Sequence, residues 1–171
     1  MKEGNVGLVL ESYQDLFSDF DPRPFSGRSL SIDFLDEAKR ATRDTPEGFE
    51  LNLLVPGKLR EPKKEVVIRR RLDKHFEKHR EEEEKSYRKL ILQGITFVFF
   101  GIFIMIIAAV ILFYYAESSL LTSFLVILLE PAGWFLFWEG LDIIIFESKK
   151  GSKERTFYHK MTIADINFRS Y

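Results

Sequence analysis

The sequence predicts a membrane α-helical hairpin of two transmembrane helices, inserted in a small cytoplasmic α+β domain and entered through a long charged stalk helix. Three observations predict it. Ile91–Tyr115 contains no Asp, Glu, Lys, Arg or His; a second apolar run, Leu120–Phe146, follows within a few residues; and strand-like alternation occurs both before and after the pair. A near-zero mean hydropathy conceals this division, because residues 56–89 are crowded with charge.

Residues 1–61 read as the N-terminal portion of the α+β domain. Val6–Leu10 has strand character, with Val6, Leu8 and Leu10 on one face, and so has Phe49–Val55, with Phe49, Leu51, Leu53 and Val55 alternating. Between them Ser31–Arg43 predicts a helix, with Ile32, Leu35 and Ala38 on one side and Asp33, Asp36 and Glu37 near its start. Asp21-Pro22-Arg23-Pro24-Phe25 is a stiff connection, since two prolines restrict the backbone around them. Leu16, Phe17, Phe20 and Phe25 flank it as apolar anchors that cover a core edge or, alternatively, form a docking surface.

Residues 62–89 read as the stalk helix. Ile68, Leu72 and Phe76 repeat at i,i+4, and the chain is almost purely charged from there to Lys89, with Glu81/Lys85 and Glu84/Arg88 paired in the favourable direction. With no Pro or Gly before Gly94, the stalk is expected to run on into the first span as one helix of roughly 50 residues, on the order of 75 Å. It serves as a solvated spacer or an interchain contact.

Residues 90–115 form the first transmembrane helix. At about 1.5 Å rise per residue, Ile91–Tyr115 reaches roughly 37 Å, more than the ~30 Å hydrocarbon core needs. A cleaved signal peptide is the poorer reading, because about 90 residues come first. Residues 116–119 are an external turn, and residues 120–146 form the second transmembrane helix. Basic residues crowd the approach to the first span, from Arg69 to Lys89, and Lys149, Lys150, Lys153 and Arg155 follow the second; the turn has none. The positive-inside rule therefore places both termini in the cytoplasm, with the two spans in the membrane. Residues 147–171 return as a cytoplasmic tail whose strand, Met161–Phe168, completes the domain with Thr162, Ala164, Ile166 and Phe168 on one face.

A turn centred near Glu117 sets Gly94 level with Gly140, Gly101 with Gly133, and Ala108 with Val126. Small residues at heptad spacing let two helix backbones approach closely, which predicts a packing seam. Three acids interrupt the second span. Glu139 and Asp142 lie one turn apart and Glu130 points to nearly the opposite side, so they do not form one track. They serve packing, a partner contact, or an ion or proton site; Glu139 and Asp142 stand within reach of Lys89, Arg88 or Gln93. Pro131 removes a backbone donor and disfavours helix at Glu130, so a kink is expected, or a fresh helix beginning there.

Composition excludes much chemistry. The absence of Cys rules out disulfides, thiolate metal sites, iron–sulfur clusters and thiol catalysis. A net charge of −1, with 25 basic against 26 acidic residues, gives no global attraction to nucleic acid. His75 and His79 have the i,i+4 spacing of two metal ligands, with Glu82 and Glu83 one turn on, but lack the Glu that a zinc-protease pattern places after the first His. On a charged helix they are expected to be solvated. Phosphate-binding loops and nucleophile elbows are absent, and Ser26-Gly27-Arg28 is only a weak anion signal. No catalytic residue, metal or cofactor is expected.

The segments Asp15-Leu16-Phe17, Asp21-Pro22-Arg23-Pro24-Phe25 and Arg28-Ser29-Leu30, then Gly133-Trp134-Phe135, Trp138-Glu139-Gly140-Leu141 and Tyr158–Met161, together resemble an uncharacterised prokaryotic family of two-span membrane proteins. In that family a "DPxPF" segment opens a small cytoplasmic domain, and a Gly-Trp motif in the second span precedes a further acid. The resemblance implies that the cytoplasmic pieces and the hairpin form one unit. It transfers no activity. The expected function is that of a non-enzymatic integral membrane protein, an oligomeric scaffold or partner-binding subunit. Its expected partners are the lipid bilayer, further copies of itself and another membrane or cytoplasmic protein. The alternative is a small homo-oligomeric ion channel or proton conduit using Glu130, Glu139 and Asp142.

Overall fold

A computed structural model describes residues 5–115 and 119–171. The chain forms two compact units: one runs up to Glu82 and resumes at Lys153–Tyr171, and the other is Glu83–Ser152. Most of the predicted external turn, residues 116–118, lies outside the described residues.

The first unit is built on a three-stranded sheet of β1 (Asn5–Val9), β2 (Glu50–Val55) and β3 (Asp165–Ser170), in that spatial order and wholly parallel. The tail strand is thus the second neighbour of β2. Parallel neighbours need crossovers, and right-handed crossovers that step steadily in one direction put every covering helix on the same face. Burial agrees. Val6, Leu8, Leu51, Leu53, Val55 and Ile166 enter the core, while on the other face Gly7, Val9 and Arg169 are exposed. At the centre of that other face Asn52 is nonetheless buried. The register places Glu50 and Arg169 diagonally across it, and their ion pair at 3.3 Å roofs it.

Helix α1 (Ile32–Ala41) begins after Ser31. Its inward stripe differs from the predicted one: Phe34 and Ala38 are buried and Leu35 only partly, while Ile32 is 74% exposed. The Phe34 ring removes more apolar surface than Ile32 could, and its i+4 neighbour Ala38 leaves room for the close approach. Phe20 is also corrected. It is 98% exposed and anchors nothing, whereas Leu16 and Phe17 are buried and Phe25 packs on Phe17 with ring centres 5.1 Å apart.

Helix α2 is continuous from Pro62 to Tyr115. Its opening turns are not a solvated stalk. Ile68, Leu72 and Phe76 have no exposed surface, and they pack into the core that covers the sheet. Three large side chains at i,i+4 suffice for this because the facing surface is already apolar. Beyond Glu82 the helix belongs to the second unit.

The tail differs from the expected strand. Ser152–Ile163 forms a helix, α4, and the strand begins only at Asp165. Phe157 and Met161, four residues apart, both enter the core, and the Thr162 hydroxyl donates back to the Tyr158 carbonyl at 2.8 Å. The alternation at Thr162 and Ala164 therefore carried no strand signal.

In the second unit, the later part of α2 is joined by α3 (Leu120–Asp142), and both helices are long and apolar enough to cross a membrane. Ser119 starts α3 with extended backbone, its hydroxyl accepting from the Thr122 amide. The helix continues through Pro131, so no new helix begins at Glu130. A start there would require non-helical geometry at Glu130, and the surrounding i,i+4 ladder outweighs the one donor that proline removes. The irregularity falls later, where Ile143–Glu147 is π-helical and Ser148–Lys150 adds a short α-helical turn.

Candidate functional site

In the second unit the structure brings the predicted small residues of α2 and α3 against one another. A Cβ added to Gly101 would stand 2.6 Å from the Phe137 nitrogen and 2.7 Å from the Gly133 carbonyl oxygen. One added to Gly140 would stand 2.6 Å from the Gly94 carbonyl oxygen and 2.7 Å from the Val98 nitrogen. These are backbone obstacles, which cannot rotate away as a side-chain tip can. The helices run antiparallel there at a separation only glycine permits, and dispersion contacts accumulate along the line. Ala108 is buried at 4% exposure, while Val126 is half-buried and borders an apolar cleft of about 170 Å³ with Ile111, Leu112 and Ile127.

The three acids stand apart from this line. Glu130, Glu139 and Asp142 are all exposed on the surface of α3, and none forms a hydrogen bond or ion pair with a described residue. The structure does not bring Glu139 or Asp142 to Lys89, Arg88 or Gln93; Arg88 instead pairs with Glu84 at 2.7 Å. The large side chains around the acids are exposed as well. Phe99, Phe103, Ile106, Phe113, Trp134, Phe135 and Trp138 all present most or about half of their surface.

The polar centre of the first unit escaped the sequence reading. Glu65, in the first turn of α2, is 8% exposed and receives a two-pronged guanidinium from Arg60, Nε to Oε1 and Nη2 to Oε2, each at 2.8 Å. The Tyr13 hydroxyl donates to Glu65 Oε1 at 2.8 Å and accepts the Glu61 amide at 2.9 Å. The Arg60 bonds hold the Glu65 carboxyl below its ordinary range against the opposing effect of burial, and burial pushes the Tyr13 phenol up. The cluster therefore clamps the start of α2 to the Tyr13 turn. Its only legible signal was an acid in the first turn of a helix, because Tyr13 lies far away in sequence. Beside it, Arg60, Val66, Arg69, Asn167 and Phe168 line an open cleft of about 370 Å³.

Three other stretches singled out in the sequence lie in the first unit. Asp21 accepts the Arg23 and Ser29 amides and the Arg23 guanidinium, which hold its carboxyl well below the usual range and close the proline-rich loop. Arg28 donates to the Ser18 carbonyl and the Gln14 side chain, so the Ser26-Gly27-Arg28 stretch is engaged within the fold. His75 is half-buried rather than solvated, its Nε2 unpartnered and its ring 4.3 Å from that of His79, which stacks on Tyr158 at 5.2 Å. Burial first, then His79, lowers its pKa to about 4. Among the described residues no three His, Asp or Glu side chains converge as a metal-binding group.

No protein-family model, curated protein or solved structure matches the chain.

Proposed function

We propose that the apolar part of α2 together with α3 spans the prokaryotic cell membrane as a hairpin, with both termini cytoplasmic. On this reading the protein is a non-enzymatic integral membrane scaffold or partner-binding subunit that acts as a homo-oligomer. The observation that carries the reading is the inversion of burial in the second unit: glycine lies inside and aromatic and aliphatic side chains lie outside. A core helix of a soluble protein buries its apolar surface, but the apolar windows of these two helices are only 11% and 6% buried. Lipid is the solvent in which such a surface is stable, and close glycine packing is what then holds the pair together. The hydrogen bonding of Glu65 to Arg60 and Tyr13 supports a structural role for that cluster in the first unit. We also assign the chain to the two-span family that its DPxPF and Gly-Trp segments resemble.

The decisive experiment uses the natural lack of Cys: single cysteines introduced at position 20 and in the turn at position 118 are labelled with a membrane-impermeant maleimide in intact cells. The expected result is labelling at the turn alone, with the protein resisting alkaline extraction. Labelling at both, or recovery in the soluble fraction, removes the proposal. A second reading, a homo-oligomeric ion channel or proton conduit, is favoured by one observation, the exposure of Glu130, Glu139 and Asp142 on an apolar helix. Two spans enclose no pore alone, so several copies would have to line it. Liposome flux that Glu130→Gln abolishes would favour this reading; no flux at all would remove it.

A further inference from the structure

The sheet has two edges, and they are unlike. The β3 edge is charged and occupied by side chains: Asn167 accepts from Arg69 at 2.8 Å and donates to Asp165 at 3.0 Å, and Arg169 pairs with Glu50. Charge on an edge strand discourages further pairing. The β1 edge, Asn5-Val6-Gly7-Leu8-Val9, carries no charge, no proline and no bulge.

Its hydrogen-bonding direction follows from the ladder. In a parallel pair the N–H and C=O of one residue point to the same side, and the Leu10 amide donates to the Leu54 carbonyl at 2.8 Å. Val6, Leu8 and Leu10 therefore face β2, while Asn5, Gly7 and Val9 turn their amides and carbonyls outward. Gly7 and Val9 are exposed, Val9 at 66%, and no described residue bonds to their outward groups.

We propose that the outer edge of β1 pairs antiparallel with the same edge of a second copy of this chain, centred on Gly7, so that two sheets become one. The inference deepens the oligomeric reading above and rests on it. An identical edge run in the opposite direction is its own complement. Gly7 meets the partner's Gly7, and Asn5 meets the partner's Val9, each pair exchanging both of its hydrogen bonds. Within Asn5–Val9 no like charges oppose one another, and the central glycines leave the two backbones free of side-chain obstruction. The second edge is charged, and its Arg169 is already engaged by Glu50 within the chain.

The test is Val9→Pro in the full-length protein in lipid nanodiscs and detergent, with mass measured across a concentration series. Proline here deletes an outward N–H and leaves the β1–β2 ladder intact, a strand setting in which proline is tolerated. The expected result is self-association weakened roughly tenfold or more, because two symmetry-related hydrogen bonds are lost, with the melting temperature retained. Unchanged self-association in a folded Val9→Pro protein overturns the β1 pairing and leaves the oligomer standing. A wild-type protein that is monomeric at every concentration overturns both. Should the variant fail to fold, amide exchange in the wild type decides: Gly7 and Val9 protected alongside Val6 and Leu8, increasingly so with concentration, is the expected pattern. Gly7 and Val9 exchanging at open-edge rates overturns it.

Discussion

A Cβ on Gly133 would lie 2.9 Å from the carbonyl oxygen of Gly101, so α2 and α3 touch backbone to backbone at that level. Nothing larger than hydrogen fits without moving one helix. Gly101→Leu or Gly133→Leu should accordingly destabilise the hairpin by about 1–3 kcal/mol or more, the usual cost of overpacking. Thermal melting in detergent checks this, and unchanged melting and mass in both variants would dismiss the seam as an energetic feature.

The clamp around Glu65 gives a pH prediction. Its folded pKa lies below the ordinary 4.5, so its stabilisation is present above that value and fades as the pH falls through the lower, folded one. The wild type should therefore lose stability on acidification in that range, and Glu65→Gln should show a flatter acid limb. Tyr13→Phe, which leaves the Glu61 amide and one Glu65 bond unmet, should cost about 1–3 kcal/mol at neutral pH. Urea titration of each variant at several pH values measures both effects.

His75 adds a second, separable pH effect. Its pKa falls from 6.5 unfolded to about 4 in the fold, so the unfolded chain takes up the proton first. Stability attributable to the neutral ring is complete above pH 6.5 and declines as the pH drops towards 4. His75→Leu should remove this part of the slope. A variant whose stability still falls as steeply as that of the wild type over the same window would show that the ring titrates unperturbed.

Asn52 occupies the central strand with its Oδ1 buried and unpartnered, between Gly7 and Asn167. Replacement with a β-branched apolar residue abolishes an unmet acceptor and suits the strand better. Asn52→Val should raise stability by roughly 1 kcal/mol, visible as a higher melting temperature. A lower one would mean that the amide makes a contact through water.

Several elements were readable because they depend on periodicity. Val6, Leu8, Leu51, Leu53 and Val55 are buried as their alternation requires, and the i,i+4 spacing of Ile68, Leu72 and Phe76 gives a core-facing stripe. What periodicity could not say is how far such a stripe is covered, so the opening of α2 looked like a solvated stalk. In the tail, Phe157 and Met161 at i,i+4 were a helix signal overshadowed by a two-residue alternation in the four positions that follow. Within α1, Ile32 and Phe34 point to nearly opposite sides of the helix, and only the facing surface chooses the Phe34 side.

Local composition alone determined that two helices here are long and apolar enough to cross a membrane, and that the polar residues around them form a small α+β unit. Both depend on neighbours along the chain: an uncharged run long enough for a helix, and side chains repeating at the period of their own element. The tertiary structure decided the order and parallel sense of the strands, the Tyr13–Glu65–Arg60 clamp, the one-sided covering of the sheet and the exposed edge of β1. Those features join residues distant in sequence, and hydrogen bonds and packing across such distances leave no periodic trace in either partner's neighbourhood.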